Sequence, residues 1–268
     1  MSHKDLFNCD HPILCLPMNR TSDIDLAIAV SKSGCFPSLV MSSYSHGWGK
    51  TFFYEKFCVD LVKFLKQLGH CRIMLSMTDF FLINHTDQLL NVVEMFGVKH
   101  IELTPYYGGG EEHDNFSIEA YIGSIMKLRA KGVKFIIKCL FVPVENIAIS
   151  LIKHNIVDAI IVKSNKGAGK VHTSDISIFR LIRKAKHLYP NMHIIASGGI
   201  SNSADIQECL KAGATMVGMG TVFAMSKECR IHPESKARAI ATKDVVPIDA
   251  VGLPQNGIVF EKHEGWDN

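Results

Sequence analysis

Eight short apolar segments alternate with helical patterns along the chain. Each segment is nearly continuous, which is typical of parallel strands that are covered on both faces. The predicted strands are residues 13–18, 37–42, 72–77, 100–105, 135–141, 159–164, 193–198 and 216–222. The predicted helices between them are residues 23–33, 55–68, 87–96, 117–131, 144–154, 174–188 and 203–212.

Signals at the helix ends favour one arrangement of these units. Glycines follow most of the predicted helices and act as C-caps. Repeated strand and helix units of this kind predict an α/β chain folded as a single (β/α)8 TIM barrel. An open doubly wound sheet is the alternative. It is disfavoured because no strand, GxGxxG turn and helix with a downstream acid occur together.

The length of 268 residues suits one such barrel. We assign residues 1–240 to the barrel and residues 241–268 to an irregular C-terminal tail that packs on the barrel or on a partner subunit. A net charge of +3 without a dense Lys/Arg block argues against nucleic-acid binding. A small-molecule substrate is therefore the expected partner, and a homo-oligomer is compatible with the sequence.

The cellular setting follows from the apolar segments and the cysteines. No apolar stretch is long enough to span a membrane, and the N-terminal residues lack a secretory apolar region. Eight cysteines without a CxxC pair predict free thiols in a reducing compartment. We therefore expect a cytoplasmic protein.

Two glycine-rich turns end the seventh and eighth predicted strands. The first contains Ser197, Gly198 and Gly199, and the second contains Gly218, Gly220 and Thr221. Glycine lets the backbone approach an anion and present N–H groups to it. In TIM barrels the loops after strands 7 and 8 commonly bind phosphate. The two turns therefore predict a phosphate cradle, although tight strand-to-helix turns alone would also use glycine.

Five segments follow one family pattern: residues 17–18, 26–34, 162–170, 196–200 and 218–223. They correspond to a first strand that ends in Pro-Met, a helix of pattern LAxAVSxxG, a strand followed by a glycine-rich turn, an A[AS]GGI turn and a GxxMGTxF turn. In these segments the chain resembles nitronate monooxygenases (2-nitropropane dioxygenases) and the related flavin-dependent enoyl-acyl carrier protein reductases. The resemblance implies an FMN-dependent oxidoreductase. FMN is expected rather than FAD because only one phosphate cradle is present.

One turn departs from the family pattern. In the family, the turn after strand 6 usually reads EAGGH, and its histidine is the catalytic base of nitronate oxidation. Here residues 166–170 read KGAGK, so Lys170 stands at that position and His172 lies two residues further on. Lysine is normally charged at neutral pH and is a poor base unless burial lowers its pKa. Lys170 and His172 are both candidate catalytic residues.

Further residues are implied as flavin contacts. Lys138 and Lys163 lie in apolar strands, where a lysine must either face an interior partner or reach outward to solvent. Barrel flavoenzymes often place a lysine at the N1 edge of the flavin, and either residue could fill this role. Pro17 and Met18, at the end of the first strand, would pack on the ring and offer it a backbone hydrogen bond.

Loops at the catalytic face supply candidate substrate contacts. His46 and Trp48 follow the second predicted strand, and Tyr106, Tyr107 and His113 follow the fourth. Acidic residues flank His113, but clustered acids on a polar loop are usually solvated, so no metal is predicted.

Two functions remain open. The first is an FMN-dependent oxidoreductase that exchanges hydride through flavin N5. The second is a flavin-free barrel that binds a phosphorylated ligand as a lyase, isomerase or binding protein.

Overall fold

Eight parallel strands form the central sheet of the computed structural model, which describes residues 2–46, 50–104, 117–139, 151–152, 154–166, 169–170, 176–241, 246–250 and 253–257. The strands are β1 (Ile13–Cys15), β2 (Ser38–Val40), β3 (Met74–Thr78), β4 (His100–Thr104), β5 (Lys134–Cys139), β6 (Ala159–Lys163), β7 (His193–Ser197) and β8 (Met216–Met219). From β2 to β8 each strand pairs in parallel with the next one in the chain, and β8 pairs with β1.

The sheet closes on itself between its first two strands. A parallel bridge joins Leu14 to Phe36, which lies just before β2. The Cys15 N–H donates to the Phe36 carbonyl at 2.9 Å, and the Phe36 N–H donates to the Ile13 carbonyl at 2.8 Å. The prediction of a (β/α)8 barrel is thereby confirmed.

Helices surround the barrel. They are α1 (His3–Phe7), α2 (Ile24–Lys32), α3 (Tyr54–Leu68), α4 (Asp79–Asn84), α5 (Thr86–Phe96), α6 (Ile118–Ala130), α7 (Ile178–Leu188), α8 (Ser203–Lys211), α9 (Thr221–Ala224) and α10 (Pro233–Ala241). Helix ends are capped: Asp23 accepts from the Leu26 N–H at the start of α2, and Gly69, a predicted C-cap, ends α3 with a φ of 71°. Most of the predicted helix 144–154 lies outside the described residues.

The structure corrects two boundaries. The eighth strand was predicted to reach Val222, but it ends at Met219 and Val222 lies in α9. The first strand was predicted to reach Met18, but it ends at Cys15. In both cases apolar residues continue past the last ladder hydrogen bonds, so the hydrophobic pattern cannot mark where pairing stops.

Ten residues of the predicted C-terminal tail form strands. Val246–Ala250 and Leu253–Gly257 make an antiparallel hairpin. The second of these strands also pairs with Gly169–Lys170, with Gln255 opposite Lys170. The backbone of the predicted catalytic turn is therefore held by this hairpin. The division into a barrel of residues 1–240 and a tail of residues 241–268 stays a prediction.

The barrel interior is apolar at its amino-terminal end. Its buried residues are Leu6, Phe7, Leu14, Phe36, Met74, Ile136, Ala159, Ile161, Ile195 and Met216. Helix α1 covers this end and is fixed by a capping box in which Ser2 and Asp5 bond reciprocally. Outward-facing residues of the strands form a separate core against the helices.

His100 joins α1 to the barrel interior. Its ring stacks on Phe7 with centroids 5.1 Å apart and meets the edge of Phe36 at 5.0 Å. Nε2 lies 2.7 Å from the Leu6 carbonyl, which can only accept, so Nε2 carries the proton. Burial lowers the pKa of His100 from 6.5 to about 4.

We expect acid to destabilise the protein through His100. The unfolded chain binds a proton near pH 6.5 but the folded ring does so only near pH 4, so this stabilisation is complete above pH 6.5. It is lost progressively as the pH falls to 4, by roughly 3 kcal/mol in total. Urea unfolding between pH 7.5 and pH 4 measures the loss. His100→Gln should flatten the pH dependence relative to wild type, whereas the exposed His187→Gln control should not.

Two further findings concern the described residues only. The side chains of Cys9, Cys15, Cys35, Cys58, Cys71, Cys209 and Cys229 are free thiols. No helix among the described residues combines the length and apolar character needed to cross a bilayer.

Candidate active site

Alternation of side chains along the strands brings polar groups to the carboxyl end of the barrel. The interior apolar cluster takes one residue from each of three adjacent strands: Ile136 from β5, Ile161 from β6 and Ile195 from β7. Alternate residues of a strand share a face, so the residues two positions further on also point into the barrel. These residues are Lys138, Lys163 and Ser197. In TIM barrels this end carries the active site.

Both candidate lysines therefore face the interior, and neither is a surface lysine that reaches outward. The Cα of Lys138 is in register with Ile161, and that of Lys163 is in register with Ser197. The Lys163 side chain is only 7% exposed, whereas Lys138 is half-buried. The sequence predicts that the two lysines lie on neighbouring strands, and the structure places both on the inner surface of the barrel.

Lys163 has an unusual electrostatic environment. The pKa of Lys163 is lowered from 10.5 to about 7: burial is the largest cause, the positive charge of Lys138 adds to it, and the negative charge of Glu102 opposes both effects. At neutral pH a large fraction of the Lys163 amine is therefore uncharged. A buried lysine of this kind can accept a proton or act as a nucleophile.

Glu102 is the main site residue that the sequence analysis missed. It lies two positions after the interior residue His100 and is fully buried. Its Oε1 accepts from the Thr104 hydroxyl at 2.7 Å. Its Oε2 is buried without a hydrogen-bond partner among the described residues. The signal was a carboxylate within the apolar strand HIELT, where a buried acid needs a specific reason.

The turn after β7 has the geometry expected of an anion-binding turn. Gly198 and Gly199 adopt φ values of 100° and 74°, which side chains rarely allow. The Ser164 hydroxyl donates to the Gly198 carbonyl at 3.0 Å, and the Ser164 N–H donates to the Ser197 carbonyl at 3.0 Å. The Ser197 hydroxyl is buried and has no partner among the described residues, so it is available to a ligand.

Close packing explains two of the cradle glycines. A Cβ on Gly218 would lie 2.7 Å from Leu16 Cδ2, and a Cβ on Gly199 would lie 2.9 Å from the Cβ of Lys166. Protein side chains thus require glycine at both positions whether or not a phosphate binds. Ser197 and Gly218 are in register on β7 and β8, so the two turns are adjacent as predicted. Gly220 and the exposed Thr221 follow at the start of α9.

The backbone of Met18 is already bonded within the segment after β1. The Met18 N–H donates to the Ser22 hydroxyl at 2.9 Å, and the Met18 carbonyl accepts from the Thr21 and Ser22 N–H groups. Pro17 has no N–H, but its carbonyl is a hydrogen-bond acceptor. The predicted role of Pro17 and Met18 at a flavin ring stays a prediction.

Several predicted residues are peripheral or fall outside the description. His46 is exposed, in a two-residue strand that pairs with Thr51–Phe52. Lys170 is described through its backbone pairing alone. Trp48, Tyr106, Tyr107, His113 and His172 lie outside the described residues, so their predicted roles remain predictions. Among the described residues, no group of three or more potential ligands could hold a metal ion.

Comparison with known proteins agrees with this geometry. The family model described as nitronate monooxygenase matches residues 126–250, which include the strands of both lysines and both glycine turns. This match confirms the resemblance predicted from the sequence. It also supports the predicted enzyme class, because nitronate monooxygenases are oxidoreductases.

Solved structures share the fold. FabK from Thermotoga maritima is similar with a TM-score of 0.71 and 21% identity, over 94% of this chain and 72% of that one. A nitroalkane oxidase from Streptomyces ansochromogenes gives 0.68 and 17%, over 96% and 78%. The enoyl reductase domain of MlnA from Bacillus amyloliquefaciens gives 0.67 and 12%, over 94% and 64%. At these identities the likeness establishes the barrel and not the reaction.

Proposed function

We propose that the protein is an FMN-dependent oxidoreductase whose cofactor binds at the carboxyl end of the barrel. The observation that carries the proposal is the arrangement of Lys138 and Lys163 beside the Gly198 turn and the buried hydroxyl of Ser197. The two lysines offer positive charge to a flavin ring, and the turn and the hydroxyl offer hydrogen-bond donors to its phosphate. These groups come from neighbouring strands of the barrel. The match of residues 126–250 to nitronate monooxygenases supports it independently.

The residues present fit FMN at both of its ends. The Ser197 hydroxyl, which has no partner among the described residues, and the backbone around Gly198, Gly220 and Thr221 would hold the phosphate. Lys138 and Lys163 would face the ring system, and Met18 would pack beside it. Bound FMN supplies reversible hydride exchange with a substrate.

The chain itself contributes orientation and charge. The turns after β7 and β8 are held by strand pairing and by Ser164, so their donors are positioned before a ligand arrives. A positive charge on Lys138 or Lys163 stabilises negative charge on a neighbouring group more strongly in a buried site than in water. The carboxylate of Glu102 favours the charged form of Lys163, against the larger effects of burial and of Lys138.

The visible absorption spectrum of the purified protein tests the proposal. We expect the maxima of oxidised flavin, either as isolated or after incubation with FMN and gel filtration, and we expect FMN to bind in preference to FAD. A colourless protein that cannot be reconstituted would contradict the proposal. It would favour the flavin-free barrel that binds a phosphorylated ligand.

Replacing the lysine at the ring should lower the flavin reduction potential. If Lys138 or Lys163 stabilises the reduced, anionic ring, its change to Met removes that stabilisation, and each tenfold loss corresponds to about 30 mV for a two-electron couple. Dye-equilibration potentiometry measures the shift. Lys134→Met is the matched control, because Lys134 lies on the same strand but contacts the Asp5 carbonyl at 3.0 Å beside α1. Unchanged reduction potentials in both Lys138→Met and Lys163→Met would show that neither side chain faces the flavin ring.

The substrate is expected to be a small molecule and the location cytoplasmic.

A further inference from the structure

Helix α3 carries apolar side chains on two opposite faces. One face packs on the barrel through Phe57, Leu61 and Phe64, which are fully buried, as an amphipathic surface helix does. The solvent-facing side holds Val59 and Val62, whose side chains are 67% and 38% exposed. Valine is an apolar residue and a poor helix former, so two valines on the outer side of one helix are unfavourable unless a partner covers them.

Opposite charges lie at the two ends of this valine pair. Along the outer side of the helix, intervals of four, three and four residues separate Glu55, Val59, Val62 and Lys66. This spacing places all four on one face and is that of the seam between two packed helices. Glu55 and Lys66 are exposed, and neither forms an ion pair with another residue that the structure describes. We call these four residues the α3 stripe.

We propose that the α3 stripe is the contact between two copies of this chain, packed antiparallel about a two-fold axis. In a two-fold interface, if residue i contacts residue j of the partner, then j contacts i. An axis that passes between residues 60 and 61 sets Val59 opposite the partner's Val62. The same axis sets Glu55 opposite the partner's Lys66. The stripe is therefore complementary to itself, with two valine pairs in the centre and an ion pair at each end.

The neighbouring helices hold α3 in place and widen its apolar surface. On one side, Lys63 forms an ion pair with Asp25 of α2. On the other side, the side chain of Tyr54 is hydrogen-bonded to that of Asn91 in α5. Met95 is 57% exposed and lies one turn after Asn91 on the same face of α5. The surface offered to a second copy is thus fixed before association, and apolar groups continue beside it.

The size of the surface and its charges define the expected dimer. Helix α3 has 15 residues and is about 22 Å long, so two such helices cover less than the roughly 1,200 Å² of a stable complex. We therefore expect a weak, reversible dimer. The charges select the antiparallel orientation, because a parallel pair would set Glu55 opposite the partner's Glu55.

Sedimentation velocity of the full chain tests the proposal. Between about 5 and about 500 µM protein, we expect the sedimentation coefficient to rise from that of a monomer to that of a dimer. Glu55→Lys and Lys66→Glu each set like charges opposite one another at both ends of the interface. Each change should therefore raise the dissociation constant at least tenfold.

A mixture of the two charge variants separates specific pairing from a general loss of association. In a dimer of one Glu55→Lys chain and one Lys66→Glu chain, every end pair again joins opposite charges. An equimolar mixture should therefore dimerise about as strongly as the wild type. A mixture that associates as weakly as its components would contradict the two-fold pairing.

The valines are tested separately. The double change Val59→Ser with Val62→Ser removes the apolar centre and should raise the dissociation constant at least tenfold. Leu188→Ser is the matched control, because Leu188 is 42% exposed at the end of α7, which packs beside β6 and β7 rather than near α3. It should leave the dissociation constant unchanged.

Two results would overturn the proposal outright. One is a wild-type chain that stays monomeric at every concentration, which would leave the α3 stripe to a different kind of partner. The other is a dimer that persists unchanged in the charge variants and in the double valine variant. Because α3 lies on the outside of the barrel, the outcome is independent of whether FMN binds.

Discussion

Gly198→Leu is expected to abolish FMN binding. Gly198 has a φ of 100°, which a leucine adopts only with strain, and its backbone lies beside the Ser197 hydroxyl, which has no partner within the described part of the chain. A branched side chain there would fill the space through which the phosphate reaches the turn. Losing the phosphate contacts should reduce flavin occupancy after gel filtration from full to undetectable, as measured by visible absorbance per mole of protein.

A matched variant separates this local effect from general destabilisation. Gly213 has a φ of 109° and follows α8, on the side of the barrel opposite the phosphate turns. Gly213→Leu imposes similar backbone strain, yet it should retain flavin. Full occupancy in Gly198→Leu, or equal loss in both variants, would contradict the cradle assignment.

The barrel could be predicted because its determinants are local. Each parallel strand is a short apolar run and most helices end at a glycine, so the alternation is visible without knowing any long-range contact. Gly69 and Gly97 illustrate this, since both adopt the positive φ that the C-cap requires. The residues at which pairing stops, such as Met219, depend on the neighbouring strand and were predicted less accurately.

The site was predicted only in part because its properties depend on non-local contacts. The sequence singled out Lys138 and Lys163, but only the register of β5, β6 and β7 shows that both face inward. Glu102 gains its importance from proximity to Lys163, which is distant in the chain. The sequence predicts that Gly218 belongs to a phosphate-binding turn. In the structure, Leu16 packs so closely against Gly218 that a side chain at this position would clash with it.

The pairing of the tail with the turn after β6 likewise depends on residues that are distant in the chain, so the sequence did not predict it. Nothing in residues 246–257 indicates a partner, because an edge strand is specified mainly by backbone hydrogen bonds, which most residue types can make. The strand opposite Gly169–Lys170 fixes the backbone of Lys170, which the sequence analysis predicts to stand where nitronate monooxygenases have a histidine.

That substitution leads to a large expected effect on turnover. We expect the wild-type protein to oxidise simple alkyl nitronates weakly, because a lysine at position 170 is a poor base when charged. Lys170→His should restore the histidine and raise kcat, by up to about 10²-fold if proton abstraction limits the rate. Steady-state kinetics with a primary nitronate on flavin-loaded protein measures both values.

His172 offers the competing explanation, and one further variant separates the two. If His172 acts as the base, wild-type turnover is substantial and His172→Ala should lower kcat by roughly 10²- to 10⁴-fold. A shift of two residues normally carries a loop side chain to a different point, however, so a side chain at 172 is not expected to replace one at 170. We therefore expect His172→Ala to change the weak wild-type rate little.

Strong wild-type turnover that survives His172→Ala would contradict both explanations. The base would then be sought at His46, His113 or the buried amine of Lys163, whose pKa of about 7 suits proton transfer at neutral pH.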